Sequence, residues 1–184
     1  VAVTKLAAAV CRENDVDPAV FSLAVGPGAT IGERLLHDRR VALVSATGSC
    51  RMGRRVAEVV GKRLGRSLLE LGGNNAIIVT PHANLDLAVP SIVFGAVGTA
   101  GQRCTSTRRV IVHRSIQDQL VDRLLRAYRS VRIGNPLDEG TLMGPVISEQ
   151  AVESLWEARR RVEAEGAGID EGYLALVRAA LSHY

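Results

Sequence analysis

One stretch constrains this chain more than any other. The apolar run Val41-Ala42-Leu43-Val44-Ser45 leads through a turn at Gly48 to Gly53 into a helical segment reaching about Leu64, and a second apolar run follows from Ser67 to Leu71. Runs this short, bounded by turn residues and rich in Val and Leu, read as buried strands. Between them Val56, Val59, Val60 and Leu64 recur at helical spacing and define one apolar face. Strand, helix and strand in so little chain predict parallel pairing, because parallel strands need a crossover and a helix supplies it, in the right-handed sense.

The same grammar extends in both directions. Residues 4–13 read as the end of a helix, with Leu6, Ala9 and Val10 on one side. Phe21 to Val25 reads as a short strand, turned by Gly26-Pro27-Gly28 into a helix at Thr30 to His37. Beyond the pair Gly72-Gly73 the pattern predicts a strand at Ala76 to Val79 and an apolar helix at Leu85 to Gly98, buried on several sides. A turn over 99–107, a strand at Val110 to His113 and an amphipathic helix at Ile116 to Ser130 follow. Gly134-Asn135-Pro136 and Gly144-Pro145 bracket a loop, and Glu149 to Glu165 is a charged helix with Val152, Leu155, Trp156 and Val162 inward. The expected class is α/β, a parallel sheet with flanking helices. Aromatics are only 3% of residues, so the core must be aliphatic, which suits parallel strands covered by helices. The paired glycines mark the boundary between two lobes, 1–71 and 72–166, with a divergent tail at 167–184.

Charge and cysteine usage narrow the function classes. A net charge of +4 is compatible with a nucleic-acid partner, but the arginines are scattered and few aromatics are available for base stacking, so no nucleic-acid partner is expected. Three cysteines, Cys11, Cys50 and Cys104, show no paired spacing, which predicts neither a disulfide framework nor a zinc site, and a reducing, cytoplasmic setting. The four histidines lack ligand spacing, so no metal is expected. The longest uncharged run, Leu87 to Gln102, is short and carries Pro90, so no membrane partner is expected either. The opening Val1-Ala2-Val3 does not read as a signal peptide, and the absence of an initiator Met suggests a piece of a longer chain.

Two residues carry the chemistry. Cys104 lies in the small-residue turn Thr99-Ala100-Gly101-Gln102-Arg103-Cys104-Thr105, where a substrate can approach a thiol. Glu70 closes an apolar run among Leu68, Leu69 and Leu71, where half-burial would raise a carboxylate's pKa and suit it to act as a base. Nucleophile and base together suit covalent chemistry at a carbonyl carbon. Each has a bland alternative: a small buried Cys and a surface carboxylate. Arg103 is not expected to help the thiol, because adjacent side chains diverge; turn amides are better placed. Cys11 and Cys50 read as structural and buried. Gly48-Ser49-Cys50-Arg51-Met52-Gly53 joins a strand to a helix N-terminus, which suits a phosphate, though an ordinary tight turn fits equally. It is not a P-loop, since Arg54 and Arg55 stand where Lys and Ser/Thr would be required. Gly26, Gly28 and Gly32 approximate a dinucleotide fingerprint with the spacing off by one.

Taken together, Thr47-Gly48-Ser49 with Gly53, Glu70-Leu71-Gly72-Gly73 and Gly101-Gln102-Arg103-Cys104 resemble the aldehyde dehydrogenase superfamily. Gly73-Asn74-Asn75-Ala76, Val44 to Thr47, Ala100 to Arg109 and Gly134-Asn135-Pro136 are similar to its antiquitin branch, the α-aminoadipic semialdehyde (piperideine-6-carboxylate) dehydrogenases, from the first residue to about Gly166. The resemblance implies part of a Rossmann-like NAD domain joined to part of an α/β catalytic domain. It also implies NAD-dependent oxidation of an aldehyde, a semialdehyde of lysine catabolism, to the acid through a thioester on Cys104, with Glu70 activating water. By the same resemblance Gly48 and Ser49 lie at the pyrophosphate, Gly32 and Glu33 border the nucleotide, Leu71 lies near the nicotinamide and Thr105 faces the substrate. Full-length members are expected to form homo-oligomers. The family's oxyanion Asn and ribose-gripping Lys would precede Val1, its later ribose-holding Glu would follow residue 166, and Cys50 stands in place of its usual Thr. The alternative expectation is therefore a truncated, catalytically incompetent piece. Rivals from other classes are a basic nucleic-acid module and a cofactor-independent thiol acyltransferase, the latter lacking a His partner near Cys104.

Overall fold

The structure, a computed structural model, describes residues 1–166, so the expected tail at 167–184 lies outside the described residues. The chain divides into two compact units, Val1–Leu71 and a second that starts at Gly72. Each contains one parallel strand pair bridged by a helix.

In the first unit, helix α1 (Ala2–Glu13) and a 3-10 turn (Pro18–Phe21) precede a π turn (Gly28–Gly32) that runs into α2 (Glu33–His37). Strand β1 (Leu43–Gly48), helix α3 (Cys50–Lys62) and strand β2 (Arg66–Leu71) then form the expected strand-helix-strand unit. β1 and β2 pair in parallel from Leu43↔Arg66 to Gly48↔Leu71. The alternation of a strand decides which face is covered. Val44, Ala46 and Leu69 pack against Leu36, Val56, Val59 and Val60, while Leu43 and Leu68 on the other face are about half exposed, at 49% and 55%. A methyl group added at Gly53 would lie 2.5 Å from Leu71 Cδ2, so the glycine is what lets α3 lie close on β2.

The end of α3 corrects one expectation. Leu64 does not belong to the helix face; it lies beyond the helix at φ 58°, 95% exposed. The Gly65 N–H donates to Val60 O and the Leu64 N–H to Gly61 O, the two bonds of a Schellman cap. Leu64 thus fills the left-handed position that usually belongs to glycine. Arg63 fastens this end, donating from Nε to Leu36 O (2.9 Å) and from Nη2 to Val41 O (2.8 Å).

Phe21 to Val25 is not a strand. Asp17 accepts the Ala19 N–H and Pro18 presets a 3-10 turn that takes in Phe21; the extended residues after it join no ladder among the described residues. On α1, Leu6 and Val10 are exposed at 67% and 49%, and only Cys11 is buried.

The second unit repeats the design with β3 (Asn75–Val79), α4 (Leu85–Val97), β4 (Thr107–Val112) and α5 (Gln117–Arg129). β3 and β4 are parallel, with an irregularity where Asn75 pairs with Thr107 but Ala76 pairs with Arg109. Val79, Val89, Ile92 and Leu120 form the buried centre, and Ile77, Val110, Val112, Ile116 and Leu124 close around it. Helix α4 is buried on one side only: Leu87 and Phe94 are exposed at 67% and 68%, correcting the expectation of burial all round. Helix α6 (Glu149–Ala164) has no buried residue, and Val162, expected to face inward, is 39% exposed. Among the described residues the parallel pairing expected from the sequence is realised as a two-stranded pair in each unit.

Two substitutions separate core from surface. Leu120→Ala, at a side chain 1% exposed, is expected to cost about 2–5 kcal/mol in chemical denaturation. Leu64→Gly is expected to raise stability by about 1 kcal/mol, because it relieves a left-handed leucine that buries nothing.

Candidate active site

The parallel register of the first unit sets its part of the site. Thr47 lies opposite Glu70 and Gly48 opposite Leu71, so the candidate base and the turn into α3 share the carboxyl edge of the strand pair. That edge is where open α/β sheets hold ligands. Ser49 caps α3, its Oγ accepting the Met52 N–H at 3.2 Å, and the first turn has no acidic residue. The helix therefore offers an anion its positive end and first-turn amides without a competing carboxylate. A methyl group at Gly48 would meet the tip of the Met52 side chain, at 2.5 Å from Cε.

Glu70 sits on the face of β2 away from α3 and is exposed, as is its neighbour Leu68. The half-buried carboxylate expected from the apolar run is not found, because alternation sends Leu69 and Leu71 toward α3 and Glu70 to the open face. Leu71 itself is directed at Gly53. Gly32 ends the π turn with open space around it. Glu33 begins α2, and its carboxylate accepts from Arg55 Nε (3.0 Å) and Nη2 (2.8 Å), fastening α2 to α3. Arg55 holds the Glu33 carboxyl below its ordinary value of 4.5, chiefly through these hydrogen bonds. Cys50 is exposed at the start of α3, which corrects its reading as a buried structural residue.

In the second unit the chain leaves α4 through Gly98–Gly101, where Thr99, Ala100 and Gly101 all have left-handed φ (55°, 52° and 71°). Two non-glycine residues in that region are costly and need surrounding ties. The ties lie just downstream. Ser106, 1% exposed, accepts the Arg103 N–H on its Oγ (3.1 Å), and its own N–H donates to Arg103 O (3.2 Å). Gln102 accepts the Ile147 N–H (2.8 Å) and donates to Thr99 O (3.1 Å). Asn75, the first residue of β3, donates from Nδ2 to Cys104 O (2.6 Å) and to Ser106 O (3.0 Å). Cys104 and Thr105 are exposed on this braced turn. Arg103 turns away as expected, its Nη2 donating to Phe94 O (3.2 Å) and its guanidinium lying 5.0 Å from the Phe94 ring centre.

The sequence gives a role to Cys104 and, through the resemblance, to Thr105; Asn75, Gln102 and Ser106 stand in the matching motifs without one. The available signal for Asn75 was an amide at the first strand position after two glycines. Among the described residues no cluster of three or more His, Cys, Asp or Glu could hold a metal ion, and no helix is long and apolar enough to cross a membrane.

Comparison with known proteins places this geometry in a family. The model of the aldehyde dehydrogenase family matches residues 1–176, past Gly166 where the motif resemblance was expected to end. The chain belongs to the aldehyde dehydrogenase family. It is 50% identical over 172 residues to the α-aminoadipic semialdehyde dehydrogenase of Bos taurus, covering 94% of this chain and 32% of that protein. It is 45% identical to aldehyde dehydrogenase family 7 member B4 of Arabidopsis thaliana, covering 94% of this chain and 34% of the other. Among solved structures, glyceraldehyde-3-phosphate dehydrogenase GapN from Methanocaldococcus jannaschii, complexed with NADP, superposes with a TM-score of 0.84 at 31% identity, covering 89% of this chain and 35% of that one. Betaine aldehyde dehydrogenase from Staphylococcus aureus, in complex with NAD+, gives 0.78 at 33% identity, covering 80% and 29%. The chain spans about a third of the length of the curated relatives it matches.

The ion pairs of the first unit predict a pH response. Asp38, hydrogen-bonded by Arg40, is lowered from 3.8 to about 2, and Glu33 is lowered by Arg55. Depressed carboxylates stabilise the folded state above their ordinary values, and that contribution is lost as pH falls through the lowered ones. A carboxyl NMR titration is expected to place Asp38 near 2. Arg55→Gln is expected to return Glu33 toward 4.5, and an unmoved Glu33 would contradict the pairing.

Proposed function

We propose that this chain carries the nucleophile, the base and the phosphate turn for NAD-dependent oxidation of an aldehyde to a carboxylic acid. The observation that supports it most is the exposed thiol of Cys104 on a turn braced from three sides, in a chain belonging to this family. In this reading the Cys104 thiolate adds to the aldehyde carbon and leaves a negatively charged oxygen. Backbone N–H groups of the turn, the Cys104 N–H among them, hold that oxygen. Bound NAD supplies the hydride acceptor. Loss of hydride from the carbon restores the carbonyl as a thioester on Cys104. Glu70 then removes a proton from water, the hydroxide adds to the thioester, the carbon–sulfur bond breaks and the acid leaves.

Gly48 and Ser49, at the N-terminus of α3, would hold the pyrophosphate: the strand-glycine-helix junction and the absence of a first-turn carboxylate fit that group. Gly32 and Glu33 would border the nucleotide, Leu71 the nicotinamide, and Thr105 the substrate. The name of the bovine relative favours a semialdehyde with a second polar end. A reducing compartment such as the cytoplasm suits a catalytic thiol, and association of full-length chains into homo-oligomers completes the proposal.

A narrower reading is favoured by one observation. Glu70 is exposed in a chain that spans about a third of its relatives, and the second reading takes the chain by itself as catalytically incompetent because this base has no desolvating wall. The assay that decides is NADH formation from NAD and α-aminoadipic semialdehyde by the 184-residue chain. The main proposal expects turnover that Cys104→Ala abolishes and that Glu70→Gln lowers by about a hundredfold or more, in line with loss of a general base. Absence of NADH from the folded chain would overturn activity for this chain and leave the narrower reading.

A further inference from the structure

We propose that Asn75 is a positioning residue for the nucleophile turn, setting the reactivity of Cys104 through the backbone on either side of Thr105. This rests on the reading of Cys104 as the nucleophile. The contact is unusual in what it joins: an amide side chain at the first position of β3 reaches 29 and 31 residues along the chain to the carbonyls of Cys104 and Ser106. Both partners are acceptors, so the side chain must present its NH2, and each of its two hydrogens has a carbonyl to itself. Serine or threonine could serve one carbonyl only, and aspartate neither.

The consequence for the turn follows from peptide geometry. In a planar trans peptide the C=O and the next N–H point in opposite directions. Drawing Cys104 O toward Asn75 therefore aims the Thr105 N–H to the far side, and drawing Ser106 O aims the Thr107 N–H likewise. The Arg103 carbonyl is drawn to the Ser106 N–H, which fixes the Cys104 N–H by the same rule. Asn75 thus holds an array of N–H groups that no helix or strand would hold, because regular pairing begins only at Thr107. Fixed N–H groups favour a thiolate and later an oxyanion.

Two further features are explained by this clamp. A methyl group at Gly73 would lie 2.8 Å from Asn75 Oδ1, so the second of the paired glycines clears the space the amide occupies. The break in register between Asn75 and Ala76 lets Asn75 sit opposite Thr107 while the rest of β3 pairs one residue further along β4 than that register would set. The left-handed run Thr99–Gly101 lies just upstream of the turn, so the turn depends on ties from outside itself.

The test is alkylation of the intact chain by iodoacetamide across pH, resolved by peptide mass spectrometry, in the wild type, Asn75→Leu and Asn75→Ser. Neither NAD nor aldehyde is present, so failure of the dehydrogenase reading leaves the measurement intact. Cys50, exposed in the other unit, is the internal reference. Asn75→Leu, of similar size but without a donor, is expected to slow Cys104 alkylation at neutral pH by about three- to tenfold and to raise its pH midpoint, the scale of a lost hydrogen-bond set. Asn75→Ser, keeping one donor, is expected to fall between, and Cys50 is expected not to change. A Cys104 profile in Asn75→Leu that coincides with the wild type, even with a lowered melting temperature, would reduce Asn75 to a purely structural role and overturn the proposal. If Asn75→Leu does not fold, the same comparison on Asn75→Ser decides, with coincidence again overturning it.

Discussion

Parallel strand pairing is the constraint on which everything else in this chain rests. Two strands running the same way cannot be joined by a tight turn, so each pair needs a helix between its members. In the first unit that helix is α3, and its start is forced to the same edge at which β2 ends. The register then does the rest: Gly48 opposite Leu71 and Thr47 opposite Glu70 place a helix N-terminus and a carboxylate on one rim. Val44, Ala46 and Leu69 hold that register by burying against Val56, Val59 and Val60, since a slip of one residue would turn them to solvent.

The second unit uses the same pairing for a different purpose. Here the amino edge matters, because β3 begins with Asn75 and β4 follows directly from the cysteine turn. The turn is irregular and follows a run of left-handed residues, and hydrogen bonds made by Asn75, Gln102 and Ser106 hold its shape. A thiol carried this way keeps its exposure and gains a fixed backbone. Strain upstream and clamping downstream are two aspects of one arrangement, in which the core of the unit, centred on Ile92 and Leu120, supplies the rigidity.

The strand-helix-strand unit was legible because its signals are local: apolar runs of strand length, a helical repeat of valines, and glycines at the joints. Cys104, Glu70 and the Gly48 turn were legible as motifs. What escaped were properties that depend on partners. Phe21 to Val25 has a strand's composition but no ladder among the described residues, and Leu64 has a core residue's chemistry but a cap's backbone. Glu70 was expected to be half-buried by its leucine neighbours, whereas strand alternation separates it from two of them. Asn75 escaped for the opposite reason: its contacts lie some thirty residues away, and nothing in its immediate sequence points there.

The claim at the centre of this account is that Cys104 becomes covalently acylated by the aldehyde it oxidises. The direct measurement is peptide mass spectrometry of the Glu70→Gln chain after exposure to NAD and α-aminoadipic semialdehyde, with NADH counted in parallel. The account predicts the acyl mass on the peptide containing Cys104 and one equivalent of NADH per modified thiol. NADH without an adduct, or the adduct on the exposed Cys50 instead, would contradict it.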